Sequence, residues 1–235
     1  MQAVIISGGL GTRLKPLTDT VPKGLVEVQG RPLLEHVLDL LKEAGVDDVI
    51  LSVGYLGDRI KEHFRDGEGH GVRIRYVEED KPLGTGGWLH KAKEMLSGDF
   101  FVVNGDNLFA LDLHEMLRSH QEKGATATIG LTKVEDPSSF GIAAMDGDRI
   151  ARFVEKPSKE EAPSDLANGG YYVFNERIFD MIPSRERFML EQDVFPALAE
   201  EGRLYGFPSD AQWFDTGTFE RLEEVESFWR KGSNA

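Results

Sequence analysis

This 235-residue sequence predicts an α/β protein: a mostly parallel sheet covered on both faces by helices, with a small antiparallel β region added as a lid. Three observations predict it. Apolar, β-branched runs alternate with helix-patterned segments through the first half of the chain. Glycines close two of the helical patterns, at Gly45 and Gly124. The second half then turns to strand-like runs with little helix between them.

The elements follow in order. AVIIS (3–7), DVILSV (48–53), VRIRYV (72–77) and FFVVNG (100–105) read as strands. RPLLEHVLDLLKEAG (31–45) places Leu34, Val37, Leu38 and Leu41 at helical spacing, and LGDRIKEHF (56–64), GGWLHKAKEML (86–96) and LDLHEMLRSHQEKG (111–124) also read as helices. Strand followed by helix, repeated, gives right-handed crossovers and a parallel sheet. TATIGLT (126–132), GIAAMD (141–146), RIARFVEKP (149–157) and GGYYVF (169–174) are the strand-like runs of the second half. MDGDR (145–149) offers a hairpin turn, because Asp-Gly tolerates positive φ. Helices are expected again at 190–201 and 217–230, SKEEAPSD (158–165) reads as a mobile loop, and the tail RKGSNA as frayed. One domain is expected, with a first half at 1–124 and a second half at 125–230.

Composition narrows the function. A net charge of −14 argues against non-specific nucleic-acid binding. The absence of cysteine excludes a disulfide scaffold and thiolate chemistry. MQAVIIS is too short for a signal peptide, and no apolar run approaches the roughly 20 residues of a membrane span. A cytoplasmic protein with no membrane partner is the expectation. Within the first 31 residues, however, Arg13, Lys15, Lys23 and Arg31 outnumber Asp19 and Glu27. That basic island is either chance clustering on a hydrated surface or a confined anion site.

SGGLGTRLKPLT (7–18) favours the anion site. It follows the first strand, and in an open α/β sheet ligands bind beyond the carboxyl ends of the strands. Ser7 and the glycines at 8, 9 and 11 let backbone approach a ligand and aim N–H groups at one anion. Thr12 follows, Arg13 adds a planar charged fork suited to phosphate oxygens, and Lys23 adds a second cation. The segment lacks the GxxxxGK[ST] of a P-loop, and Pro16 prevents the immediate helix that GxGxxG requires. Without the cations, GGxG would read as a tight strand-to-helix turn.

GGLGTRLKPLT…VPKGLVEVQGRPLLEHVL closely resembles the N-terminal motif of the sugar-1-phosphate nucleotidyltransferases, or NDP-sugar pyrophosphorylases. PLGTGG (82–87), NGD (104–106), FVEKP (153–157), NGG (168–170) and WFDTGT (213–218) follow in that family's order, so the resemblance covers nearly the whole chain. It implies a Rossmann-like nucleotide-diphospho-sugar transferase fold, with 1–124 as the nucleotide-binding half and 125–230 as the sugar-phosphate-binding half. It also implies the reaction of an NTP with a sugar 1-phosphate to give an NDP-sugar and pyrophosphate, with Mg²⁺. Such a phosphoryl-type transfer needs charge neutralisation more than covalent chemistry. Arg13 would neutralise the leaving pyrophosphate, and Lys23 would sit near the α-phosphate.

Asp106 follows a buried strand at the edge where ligands bind, and a carboxylate facing phosphates makes sense with Mg²⁺ between them. Taken alone it is equally a turn residue. The resemblance makes Asp106 and Asp215 the metal ligands, with Asp106 also catalytic; the local alternative for Asp215 is an N-cap. Gly84 and Thr85 read as a plain glycine-rich turn by themselves and as nucleotide contacts by resemblance. Glu155 and Lys156 read as an exposed ion pair, worth little. The resemblance implies that Glu155 holds sugar hydroxyls, Lys156 the sugar phosphate, and that Asn168 and Gly141 also meet the sugar phosphate substrate.

The six histidines show no metal-ligand spacing and read as surface residues, and the three tryptophans as packing residues. PKGLVEV with PLGTGG looks closest to guanylyltransferases acting on mannose or manno-heptose 1-phosphate and to short uridylyltransferases of cell-wall sugar recycling. GTP with one of those sugars is the first expectation. Uridylyl or thymidylyl transfer to another hexose phosphate, phosphocholine-type cytidylyl transfer, and a non-catalytic regulatory subunit are the alternatives. The motifs leave monomer or homo-oligomer open. The chain is expected to lack a C-terminal β-helix, since no hexapeptide repeat follows WFDTGT.

Overall fold

The computed structural model describes residues 1–230; the end of the expected frayed tail, 231–235, lies outside them. Chain order is β1 (Gln2–Ser7), β2 (Glu27–Val28), β3 (Arg31–Pro32), α1 (Leu33–Glu43), β4 (Asp48–Val53), α2 (Gly57–Phe64), β5 (Arg73–Glu78), α3 (Trp88–Ala92), β6 (Asp99–Asn104), β7 (Asn107–Phe109), α4 (Leu113–Glu122), β8 (Ala127–Lys133), β9 (Gly141–Asp146), β10 (Arg149–Glu155), β11 (Leu166–Asn175), α5 (Phe195–Glu200), β12 (Leu204–Pro208), β13 (Trp213–Asp215) and α6 (Phe219–Phe228). The residues fall into two compact units. The first takes 1–82, 102–110 and the described chain from Gln212 onward; the second takes 83–101 and 111–211. No helix among the described residues is long and apolar enough to cross a membrane.

In the first unit the strands follow the order β5-β4-β1-β6. β1 pairs with β4, and β4 with β5, both in parallel register. Every residue of β4 is buried, as expected for a strand covered on both faces. α1 buries Leu33, Leu34, Val37, Leu38 and Leu41 on one stripe. It stops where Gly45 takes φ +78°, a left-handed backbone that returns Val46 N–H to the carbonyl of Leu41 at 3.0 Å. Two short ribbons complete the unit, β2 with β3 and β7 with β13.

The second unit departs from the expected small lid. Its strands run β11-β8-β12-β10-β9, and β9 also pairs with β11 through Ile142 and Ala167, so the ribbon closes on itself. Only β8 and β12 are parallel; β8–β11, β9–β10, β10–β12 and β9–β11 are antiparallel. The whole is therefore a mixed α/β protein with a parallel part and a barrel-like part, not a mostly parallel sheet. Two elements account for the difference. β11 is ten residues long, four more than the run GGYYVF announced, because Leu166–Asn168 also pairs with β8 and the strand continues to Asn175. β12, LYGFP, carries Gly and Pro that mask its strand character. Closure leaves fewer open edges, which is how antiparallel units avoid intermolecular pairing. The hairpin between β9 and β10 turns at Gly147, φ +58°.

Two histidines correct the expectation of surface placement. His36 is 6 % exposed, with Nε2 2.8 Å from the Val28 carbonyl oxygen. His120 is 1 % exposed, on the stripe of α4 that Leu113 and Met116 also bury. The helical period, not the charge of the neighbours, decided both. Trp88 and Trp229 are fully packed, as expected, and Trp213 is half-buried.

Candidate active site

The first unit carries the cradle residues. β1 buries Ala3, Val4 and Ile5 and releases the chain at Ser7. Gly8 lies against the Glu79 carboxylate, Gly9 is open to space, and Gly11 accepts a hydrogen bond from Thr18 Oγ1 at 2.8 Å. One 3₁₀ turn, Thr12–Leu14, buries Leu14 and leaves Thr12 and Arg13 exposed. A second, Lys23–Leu25, presents Lys23.

β6 delivers Asp106 to the same place. Gly105 donates its N–H to the Ile6 carbonyl at 2.9 Å, and a Cβ there would stand 2.8 Å from Leu34 and 3.0 Å from that carbonyl oxygen. Only glycine lets the turn press this close to the end of β1. Asp106 Oδ2 then accepts from Lys23 Nζ at 2.7 Å. The Thr216 hydroxyl and N–H both donate to the Asp106 carbonyl, at 2.8 and 3.1 Å. In the β7–β13 ribbon Asp215 stands opposite Asn107, so the two aspartates are diagonal neighbours at one end of the ribbon. Asp215 is ion-paired with Arg221 of α6. The Arg13 guanidinium packs beside it: a Cβ on Gly217 would meet Arg13 Nη2 at 2.9 Å and Asp215 Oδ1 at 2.8 Å.

Charges alternate through this cluster: Arg13 and Lys23 with Asp106, and Arg221 with Asp215. Desolvation alone would push the Asp106 carboxyl up. The Lys23 ammonium, and Arg13 beyond it, outweigh that and hold it below the usual aspartate value. Asp106 is an anion at neutral pH, with its side chain still 41 % exposed. Two neighbouring carboxylates beside cations that suit phosphate form an oxygen donor set of the kind Mg²⁺ takes, since Mg²⁺ binds one or two carboxylates together with phosphate oxygens.

The second unit gathers the remaining candidates. A Cβ on Gly84, at φ +78°, would stand 2.3 Å from the Phe188 carbonyl oxygen, so the PLGTGG turn is glycine-rich because the 186–189 segment presses on it. Thr85 Oγ1 donates to the Glu191 carboxylate and accepts from the Leu190 N–H at 2.9 Å. Glu191 is 8 % exposed; burial pushes its carboxyl up, and the Glu155 charge adds to this. Gly141 packs against Phe153 and Glu155, where its Cβ would be 2.9 Å from Glu155 Oε2. Lys156, at φ +48°, brings Nζ to 3.5 Å from Glu155 Oε1. Asn168 holds its own strand, donating to Tyr172 OH and accepting from Gly170 N–H, both at 2.9 Å.

Ser7, Gly8, Gly9, Gly11, Thr12, Arg13, Lys23, Asp106 and Asp215 thus form one set, and Gly84, Thr85, Gly141, Glu155, Lys156 and Asn168 a second, each within one unit. Four polar residues at these sets went unread in the sequence: Glu79, Thr216, Arg221 and Glu191. Thr216 and Arg221 lie within six residues of Asp215 in the sequence, so proximity to that motif is the signal that points to them. Glu79 and Glu191 carry no local signal, since each meets its set only through the fold.

With a parallel α/β unit whose first loop gathers cations beside two aspartates, the chain belongs to the nucleotidyl transferase family. The family profile described as Nucleotidyl transferase matches residues 2–232. The mannose-1-phosphate guanylyltransferase catalytic subunit beta of Danio rerio is 42 % identical over 223 residues, covering 92 % of this chain and 61 % of that protein. This chain therefore spans about three fifths of the length of the curated relatives it matches. A Bacillus anthracis crystal structure in complex with a sucrose superposes with a TM-score of 0.88 at 26 % identity, covering 97 % of this chain and 94 % of that one. HddC from Yersinia pseudotuberculosis complexed with GMP-PN superposes at 0.81 and 28 % identity, covering 96 % and 98 %.

Proposed function

We propose that this chain is a sugar-1-phosphate nucleotidyltransferase that uses GTP and mannose or manno-heptose 1-phosphate. The observation that carries the reading is the cluster of Arg13, Lys23, Asp106 and Asp215, with Lys23 2.7 Å from Asp106. Such a cluster neutralises a triphosphate without offering a nucleophile of its own. An oxygen of the sugar phosphate attacks the α-phosphorus. The bond from that phosphorus to the bridging oxygen breaks, and pyrophosphate leaves with the electron pair. Arg13 takes up the charge that builds on pyrophosphate. Lys23 faces the α-phosphate, and Asp106 orients its ammonium. Asp106 and Asp215 would hold Mg²⁺, which supplies further neutralisation of the phosphate oxygens when bound. In the second unit Glu155 would accept from sugar hydroxyls and Lys156 would bind the sugar phosphate, with Gly141 and Asn168 beside them, while Gly84 and Thr85 contact the nucleotide.

Three observations support guanine. The Danio rerio relative is named a guanylyltransferase, and the Yersinia pseudotuberculosis structure is complexed with GMP-PN. The Glu79 carboxylate, which accepts from Ser52 Oγ at 2.9 Å, also lies beside Gly8, and guanine offers two adjacent donors to such a carboxylate where uracil offers one N–H between two carbonyls. The test is pyrophosphate release with Mg²⁺, crossing five NTPs with mannose, heptose, glucose, N-acetylglucosamine and N-acetylmuramic acid 1-phosphates. The expected result is turnover of GTP with mannose or heptose phosphate, lost by roughly a thousandfold or more in Asp106→Ala. Preference for UTP or dTTP would move the reading to another hexose phosphate. Silence with every pair would refute it in favour of phosphocholine transfer or a regulatory subunit.

A further inference from the structure

On the first unit, apart from the cradle cluster, Glu35, His63 and His70 meet from three different elements. Glu35 lies in the first turn of α1, His63 at the end of α2, and His70 on the glycine-flanked turn Glu68–His70. One ligand atom from each lies within 4.8 Å of the other two. His63 Nε2 is already 2.9 Å from Glu35 Oε1. We propose that these three side chains form a site for a transition-metal dication of the Zn²⁺ class.

Three features favour this over a surface ion pair. First, the imidazoles are held. The ring of buried Phe64 packs edge-on to His63 at 4.7 Å and against His70 at 4.9 Å, and the two imidazoles lie 5.8 Å apart. Second, the turn that carries His70 is built for its position. Gly67 and Gly71 flank it at φ +85° and +74°, and Cβ atoms on Gly67 would strike Ile74 and the Val72 carbonyl within 2.6 Å. Third, the carboxylate is oriented. Arg31 Nε donates to Glu35 Oε2 at 3.2 Å, which leaves Oε1 toward His63. An outer partner of this kind is what fixes a ligating carboxylate at a metal.

The donor set selects the ion. Zn²⁺ takes His nitrogen and carboxylate oxygen at about 2.0–2.2 Å, so tetrahedral ligand atoms stand about 3.4 Å apart. The present spacings, 2.9 Å between His63 Nε2 and Glu35 Oε1 and no more than 4.8 Å for the other pairs, bracket that value. Two imidazoles with one carboxylate suit Zn²⁺, whereas Mg²⁺ prefers oxygen. An open cleft of about 480 Å³, lined by Glu35, Glu68 and His70 among others, borders the site. A bound ion would tie α1, α2 and the turn before β5 together.

Metal-stripped protein, titrated with ZnCl₂ in excess Mg²⁺ and with Co²⁺ for its visible absorption, tests this. The expected result is a saturable site that binds Zn²⁺ and gives a tetrahedral Co²⁺ band. His63→Ala, His70→Ala and Glu35→Gln should each weaken it roughly tenfold or more, while Asp106→Asn leaves it in place. His70→Gln serves where an alanine variant fails to fold, as judged by thermal melting. No saturable site in the parent protein would overturn the proposal. So would a site whose affinity is unchanged in the folded His63 and His70 variants.

Discussion

Consider first the acidification of the second unit around His120. The side chain is 1 % exposed; its Nδ1 meets Thr128 Oγ1 at 2.8 Å, and its Nε2 has no hydrogen-bond partner. Asp99 Oδ1 stands 3.5 Å from Nε2, but Asp99 already accepts from Asn175 at 2.7 Å and from Gln121 at 3.1 Å. Burial dominates, Asp99 opposes it, and Arg177 adds to it, so the pKa falls from 6.5 to about 4. Between those values the unfolded chain binds a proton that the folded chain refuses. Stability from this residue is therefore complete above about pH 6.5 and is lost as pH falls toward about 4. The full shift corresponds to about 3 kcal/mol, of which about 2 kcal/mol is lost between about pH 7 and about pH 5. The assay is urea unfolding of the parent and of His120→Gln at both pH values. Glutamine can keep a hydrogen bond to Thr128 but cannot titrate, and contributions from other carboxylates cancel in the difference. The parent should lose about 2 kcal/mol more than the variant. Equal losses in the two proteins would refute the buried neutral imidazole.

Three further outcomes are expected. Gly217→Ala places a methyl 2.8 Å from Asp215 Oδ1 and 2.9 Å from Arg13 Nη2, which these side chains can evade only by leaving their positions. Pyrophosphate release should fall by roughly tenfold or more with little change in melting temperature, and an unchanged rate would remove Arg13 from the mechanism. Gly84→Ala meets both a positive φ and the Phe188 carbonyl at 2.3 Å. It should cost at least about 1 kcal/mol in denaturant unfolding. Glu79→Gln replaces an acceptor by a donor beside Gly8, and kcat/KM for GTP relative to UTP should drop by about tenfold or more. A constant ratio would mean that Glu79 does not read the base.

The local alphabet was legible where it repeats. α1 announced itself through Leu34, Val37, Leu38 and Leu41, and β4 through a run buried from end to end. The cradle stood out as a candidate because its motif is a contiguous word that joins a turn to charges, whereas both aspartates became candidates through the family resemblance. β12 was not legible, since its Gly and Pro argue locally against a strand and only its neighbours β8 and β10 supply the pairing. The antiparallel closure of β9 on β11 was hidden for the same reason, as a pairing over such a separation leaves no periodic trace.

By itself, then, the sequence named the candidate residues and the short elements that hold them, because propensity, period and turn residues act over a few positions. Tertiary structure alone decided who meets whom: Lys23 with Asp106, Arg13 beside Gly217, Thr85 with Glu191, and Glu35 with His63 and His70. It also decided that His120 is buried and neutral, not exposed. These contacts join residues far apart in the chain. Their free energy exists only once packing has excluded water and brought the partners within hydrogen-bond reach.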